Sequence, residues 1–217
     1  WDFVETNTIG NSVSSFHSHL VNQQKVLRRL IGWENPANPI PTIETADAAE
    51  LALTTPVDCI VTDPPYYDEV PYADVSDFFY VWMKRTIGDL FPDGFNADLS
   101  PKPGELVQFA EDQLGRLGKG GYESGIARSF TRAWRNLTPS GRIVIVFANT
   151  ELAPWEMLVS AIIRARLTVT ASWPIDTEKK NRTRALNSAA LSSSVWLVCR
   201  QRPINAGVGR HRSVRQN

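Results

Sequence analysis

The sequence predicts an α/β fold, and three observations carry that prediction. The run Val57-Asp58-Cys59-Ile60-Val61-Thr62 is β-branched and apolar, Arg142 to Ala148 is a second such run, and helical periodicity lies between and after them. Strands that alternate with helices build a sheet with parallel neighbours. The last two strand-like runs, Leu167 to Ile175 and Ser194 to Arg200, are joined by the polar stretch Asp176 to Ser188 with no helical pattern, so they are expected to form an antiparallel pair.

Taken in order, Ser14 to Ile31 places Phe16, Leu20, Val26, Leu27, Leu30 and Ile31 at roughly helical spacing behind serines that can cap, which predicts an amphipathic helix. Asn35 to Pro41 breaks it, Thr42 to Thr45 is a short extended piece, and Asp47-Ala48 closes that piece. Val57 to Thr62 has the apolar character of a strand covered on both faces. Val75 to Arg85, with Phe78, Phe79, Tyr80 and Trp82 and no breaker, predicts a helix packed beside the end of that strand. Loop signals fill Gly88 to Gly104. A helix is expected from Tyr122 to Leu137, ended by the turn residues Thr138-Pro139-Ser140-Gly141. Pro154 suits the first turn of a helix reaching Arg164.

By domain, residues 1–41 read as a helix and linker, 42–200 as one α/β segment, and 201–217, rich in arginine and broken by Pro203 and Gly207, as a basic tail. With 217 residues and 42% apolar composition the chain can bury an ordinary core. No run of about 18 uncharged apolar residues suggests a membrane span, and the expected location is cytoplasmic. The first residue is Trp1, which suggests an excerpt of a longer polypeptide. Cys59 and Cys199 each sit in an apolar strand and are expected to be buried thiols; no cysteine or histidine spacing suits a metal, and His17 and His19, two apart on a helix, face different ways. Twenty-three basic and 23 acidic residues cancel, so net charge neither supports nor excludes a nucleic-acid partner, which a local basic face could still bind.

The chemistry is concentrated in Asp63-Pro64-Pro65-Tyr66, directly after the first strand. An exocyclic amine on a base is a poor nucleophile because its lone pair is delocalised into the ring. A catalyst must offer acceptors that favour the pyramidal amine. The Asp63 carboxylate can accept one N–H and the Pro64 carbonyl the other, because two prolines hold φ near −65° and stiffen the corner in advance. Tyr66 adds an aromatic face for an extruded base, a contact worth about 1–3 kcal/mol elsewhere. Such a site belongs at the carboxyl end of a strand in an open α/β sheet. A rigid turn with no chemistry is the plainer alternative.

The segment resembles motif IV of the amino-methyltransferases that act on adenine or cytosine in DNA. The longer run Thr62-Asp63-Pro64-Pro65-Tyr66-Tyr67-Asp68-Glu69-Val70-Pro71-Tyr72-Ala73-Asp74-Val75-Ser76-Asp77-Phe78-Phe79-Tyr80-Val81-Trp82 is similar to a family of large prokaryotic adenine-specific DNA methylase-like proteins. The similarity continues through Trp173-Pro174 and Leu191-Ser192-Ser193-Ser194 and covers most of the chain. It implies a Rossmann-like class I methyltransferase sheet ending in an antiparallel strand pair, incomplete at its N-terminal side. It also implies S-adenosyl-L-methionine as cofactor, adenine in DNA as substrate, and Asp63, Pro64, Pro65 and Tyr66 as the catalytic set. Cytosine amines, RNA bases, or a catalytically silent nucleic-acid-binding module on the same scaffold are the rival expectations.

The glycine-rich loop that cradles the methionine part of the cofactor is not recognisable. Gly118-Lys119-Gly120-Gly121 follows no apolar strand and reads as a flexible connection, so an upstream part of the polypeptide is expected to supply the loop, and this chain alone is expected to bind the cofactor weakly or not at all. Asp47 and Ala48 resemble the acidic position that holds the cofactor's adenine, although Asp47 would serve equally as a helix N-cap. Tyr67, Asp68 and Tyr72 line a base pocket, order the loop or simply pack. Arg182 and Arg184, in the loop between the last two strands, are the candidates for phosphate contact. Asn149, just past a strand end, faces either the cofactor or its own turn.

Overall fold

The computed structural model describes residues 9–10, 12, 15–33, 41–67, 70–108, 118–176, 193–203 and 205–206. The chain divides into two compact units, Trp1–Thr45 and Ala46–Asn217. The first contains helix α1 (Phe16–Ile31), capped as its serines suggested: Ser15 Oγ accepts the Ser18 N–H at 3.2 Å. Arg28 and Arg29 in its last turn complement the helix dipole. The piece Thr42 to Thr45 belongs to no strand.

The second unit is a mixed α/β structure: β1 (Val57–Thr62), α2 (Tyr72–Ile87), α3 (Lys119–Asn136), β2 (Leu137–Phe147), α4 (Leu152–Arg164), β3 (Leu167–Asp176) and β4 (Ser193–Gln201). The four strands form one sheet in the order β1-β2-β4-β3. β1 and β2 are parallel, with the helices between them forming the crossover that a parallel pair requires, and with Ile60 opposite Ile143 and Thr62 opposite Ile145. β3 and β4 pair antiparallel as expected, and β4 lies between β2 and β3, antiparallel to both.

Alternation along β2 sends Ile143, Ile145 and Phe147 to one face, each 0% exposed. There they meet Tyr122, Ile126 and Phe130 of α3 and Leu158 and Ile162 of α4, together with Leu197 and Cys199. Each large side chain so buried contributes about 1.5–3 kcal/mol. The other face is more open, because among the described residues α3 and α4 supply the core's helices. Val61 is 63% exposed and Trp173 60%. This corrects the expectation that β1 is covered on both faces: the face that carries Cys59 and Val61 is exposed among the described residues.

Three more expectations change. Helix α3 begins at Lys119, so Gly118-Lys119-Gly120-Gly121 is a helix start with Gly118 as N-cap, not a flexible connection. β2 begins at Leu137, so Thr138, Pro139, Ser140 and Gly141 lie within the strand and do not turn the chain. Pairing jumps from Val57↔Leu137 to Cys59↔Arg142, leaving these residues in a bulge where the missing N–H of Pro139 does no harm. Helix α2 starts at Tyr72, and its aromatic face is open, with Phe78 67%, Phe79 60% and Trp82 56% exposed. Polar contacts hold it instead. Tyr80 Oη and Lys84 Nζ donate to the Ala97 carbonyl at 3.0 and 2.6 Å, and Lys102 Nζ and Ser100 Oγ donate to Asp77 at 2.6 and 2.5 Å. The bonds from Lys102 and Ser100 hold the Asp77 carboxyl below the usual carboxylate range.

The two thiols are therefore unlike. Cys199 is buried and burial pushes its pKa up to about 11, whereas Cys59 is exposed. A disulfide reagent should titrate Cys59 within minutes at pH 8 and reach Cys199 only after denaturant is added. Equal rates for both would contradict the packing of β4.

Candidate active site

β1 ends at Thr62 and delivers Asp63 to the edge where the two parallel strands finish. Asp63 is exposed, Pro64 buried, and Pro65, Tyr66 and Tyr67 half-buried. The chain then turns sharply at Tyr67, whose φ of 69° lies in the left-handed region that a bulky residue adopts only when its surroundings hold it there.

Those surroundings are specific. Tyr122, in the first turns of α3 and 1% exposed, donates its hydroxyl to the Pro65 carbonyl at 2.6 Å and accepts the Tyr67 N–H at 3.2 Å. Its ring meets that of Tyr67 edge-on, centroids 5.2 Å apart. The Gln108 N–H donates to the Tyr67 carbonyl at 3.1 Å. Asn149, just past β2, donates Nδ2 to the Tyr66 carbonyl at 3.3 Å, while its Oδ1 accepts the Glu151 N–H at 2.8 Å. Asn149 thus closes its own turn and braces the motif. Under Tyr66, Phe147 packs edge-on at 5.6 Å, and Trp155 of α4 packs edge-on against Phe147 at 5.0 Å.

With the Pro65 and Tyr66 carbonyls engaged, the Pro64 carbonyl carries no hydrogen bond among the described residues, and of Asp63 only Oδ1 is used, by Tyr66 Oη at 2.5 Å. A carboxylate oxygen and a carbonyl one residue apart are the acceptors that remain. Burial, the bond to Asp63, that carboxylate's charge and the nearby Tyr72 all push the Tyr66 phenol above its ordinary range, so it stays protonated and keeps donating to Asp63. The start of α2 is tied to the same corner, since the Ala73 N–H donates to Glu105 Oε1 at 2.8 Å.

The structure brings Asp63, Pro64, Pro65, Tyr66 and Tyr67 together, with Tyr72 close enough to act on the Tyr66 phenol. It does not bring Asp47 and Ala48 to them. Asp47 Oδ1 accepts the Ala49 N–H at 2.7 Å, capping its own turn, and the residues that follow are held by Asn136 immediately before β2, at the edge where the parallel strands begin. Gly118 to Gly121 are engaged in starting α3. The described residues therefore do not fit a cradle for S-adenosyl-L-methionine. Arg182, Arg184 and Asp68 lie outside the described residues.

Tyr122 and the Glu105 to Gln108 segment had no signal in the sequence, because Tyr122 acts on residues 55 and 57 positions away. Tyr122→Phe keeps the ring and removes both bonds, leaving the Pro65 carbonyl and the Tyr67 N–H short of a partner. It should lower unfolding free energy by about 1–3 kcal/mol in urea titrations. A loss below a few tenths would mean that water replaces the hydroxyl.

No family model matches the chain, and no curated protein does. Among solved structures it is similar to the crystal structure of a protein from Thermus thermophilus whose provisional designation is DNA modification methylase, at 13% identity and a TM-score of 0.37, over 77% of this chain and 56% of that one. The chain thus spans little more than half the length of that protein, and at so low a score the functional reading stands on the residue chemistry of the Asp63 corner.

Proposed function

We propose that this chain carries the base-gripping part of a methyltransferase that modifies an exocyclic amino group in nucleic acid, adenine in DNA first, with S-adenosyl-L-methionine as methyl donor. One observation carries the reading: Asp63-Pro64-Pro65-Tyr66 stands at the carboxyl edge of the parallel strands, with Asp63 exposed and the loop pinned by Tyr122 and Asn149. In this reading Asp63 accepts one amine hydrogen and the Pro64 carbonyl the other. Both are preorganised, so little rearrangement is needed as the amine pyramidalises. Tyr66, and beside it Tyr67 and Tyr72, provide the aromatic wall for an extruded base. Arg182 and Arg184 are proposed as phosphate contacts on the strength of their side-chain chemistry alone.

The sheet order, with an antiparallel strand inserted beside a parallel pair, suits a Rossmann-like class I methyltransferase sheet. The second edge of β1, unpaired among the described residues, leaves room for strands from an upstream part of the polypeptide, which would supply the glycine-rich cofactor loop. Asp47 and Ala48 are not carried into the proposal, because the turn they begin is held beside Asn136 at the edge where the parallel strands start, away from Asp63.

The misfit between the described residues and the cofactor favours a second reading, a nucleic-acid-binding module without catalysis. Transfer of a labelled methyl group from S-adenosyl-L-methionine to oligonucleotides with and without adenine, by the full polypeptide, separates the two. Label on adenine-containing DNA alone supports the proposal. Label on cytosine or RNA moves the substrate assignment, and binding with no transfer establishes the module.

A further inference from the structure

A groove of about 580 Å³ lies on the outer side of α3, between that helix, the end of α4 and the turn at residues 49–50. Arg128, Arg132 and Arg135 line it from α3 and Arg164 from the last turn of α4, with Ser124 at one end and Glu50 at its border. The spacing 128, 132, 135 puts the three guanidinium groups on one helix face. Arg128, Arg135 and Arg164 are exposed, and among the described residues none of the four forms an ion pair. Arg132 is half-buried and fixed, donating Nε and Nη2 to the Glu50 carbonyl at 3.1 and 2.7 Å.

Like charges at these spacings destabilise a helix. The dipole explains part of the pattern, since cations favour helix C-termini and Arg135 and Arg164 occupy last turns. It does not explain Arg128, two turns earlier. Against four positive charges stand Glu50 and two helix C-termini of about half a charge each, so roughly two positive charges remain uncompensated. On a chain whose formal net charge is zero, this is a local concentration that attracts anions.

We propose that this groove binds successive phosphates of a nucleic-acid strand. All four cations are arginines, whose planar forks match phosphate oxygens two at a time, and the row from Arg128 to Arg135 extends about 10 Å along the helix axis, too long for a single small anion. Its Ser124 end lies two residues from Tyr122, which holds the Asp63 loop, and its Arg135 end reaches the opposite sheet edge. A strand entering at Asp63 thus has a basic track along α3. The choice of nucleic acid over an acidic peptide rests on the reading of the Asp63 site given above.

The test uses the full chain, a fluorescein-labelled 16-nucleotide strand, and anisotropy between 50 and 300 mM salt. Arg128→Gln, Arg135→Gln and Arg164→Gln are combined, with Arg132 kept because it holds the Glu50 turn. The combined variant should bind at least tenfold more weakly at the lowest salt, and its slope of log affinity against log salt should fall by about 2. The matching triple lysine variant should recover most of the slope. Should the glutamine variant prove unfolded by circular dichroism, the lysine variant and Arg128→Gln alone are compared in its place. Parental affinity and slope in the glutamine variant overturn the groove, as does polyglutamate competing as well as the oligonucleotide at equal charge. Methyl transfer decides the other question separately: no transfer by the full polypeptide with the slope change intact sinks the enzymatic reading and leaves the groove standing.

Discussion

In the full polypeptide, Asp63→Ala should cut methyl transfer by about 10²–10³ in kcat while leaving oligonucleotide affinity within about twofold of the parental value. The magnitude is that of removing one preorganised hydrogen-bonding partner from a reacting centre. The binding term should hold because Asp63 is exposed and bonds only Tyr66 Oη among the described residues, so its loss neither opens the core nor removes a phosphate contact. Asp63→Asn should recover little, since a neutral amide accepts the amine hydrogen more weakly than a carboxylate. Because the Tyr66 phenol is held above its ordinary range, its proton stays on throughout the accessible range, and the kcat profile of the parental enzyme should show no limb from Tyr66 below pH 10. Parental turnover in Asp63→Ala would remove the carboxylate from the mechanism and with it the reason for reading Asp63-Pro64-Pro65-Tyr66 as more than a stiff corner.

What the sequence made legible was what is local. β3 and β4 fall within about a residue of their expected limits because each is a β-branched or aromatic run with a sharp polar boundary. The motif was legible for the same reason, four adjacent residues whose chemistry needs no distant partner to be recognised. Misreadings came where a residue's usual preference is overruled by its tertiary place. Pro139 and Gly141 look like a turn, yet the bulge against Val57 absorbs them into β2, where a Cβ on Gly141 would come within 3.2 Å of the Asp58 carbonyl. Gly120 and Gly121 look like a loop, yet a helix start tolerates them. Cys59 looks buried by composition, but whether a strand face is covered depends on what packs over it, which the run of residues does not record. The braces from Tyr122 and Asn149 span 55 to 83 positions, a range at which no pattern in one sequence marks a contact.

Phe147 joins the core to the site, and its substitution should be felt in both. It is 0% exposed, ends β2, and meets Tyr66 on one side and Trp155 on the other. Phe147→Ala should lower unfolding free energy by about 3–5 kcal/mol in urea, the cost of lost transfer energy and a cavity in a packed interior. About 0.5–1.5 kcal/mol of that belongs to each edge-on ring contact. Phe147→Leu separates the two roles. Leucine fills most of the volume and should cost less than about half as much stability, but it offers no ring edge to Tyr66. If Tyr66 is held for stacking by Phe147, the leucine variant should lose turnover out of proportion to its stability, with KM for the oligonucleotide rising as the aromatic wall loosens. Stability and turnover falling strictly together in both variants would instead mean that Phe147 serves the core alone, and that the Asn149 bond to the Tyr66 carbonyl is enough to hold the ring in place.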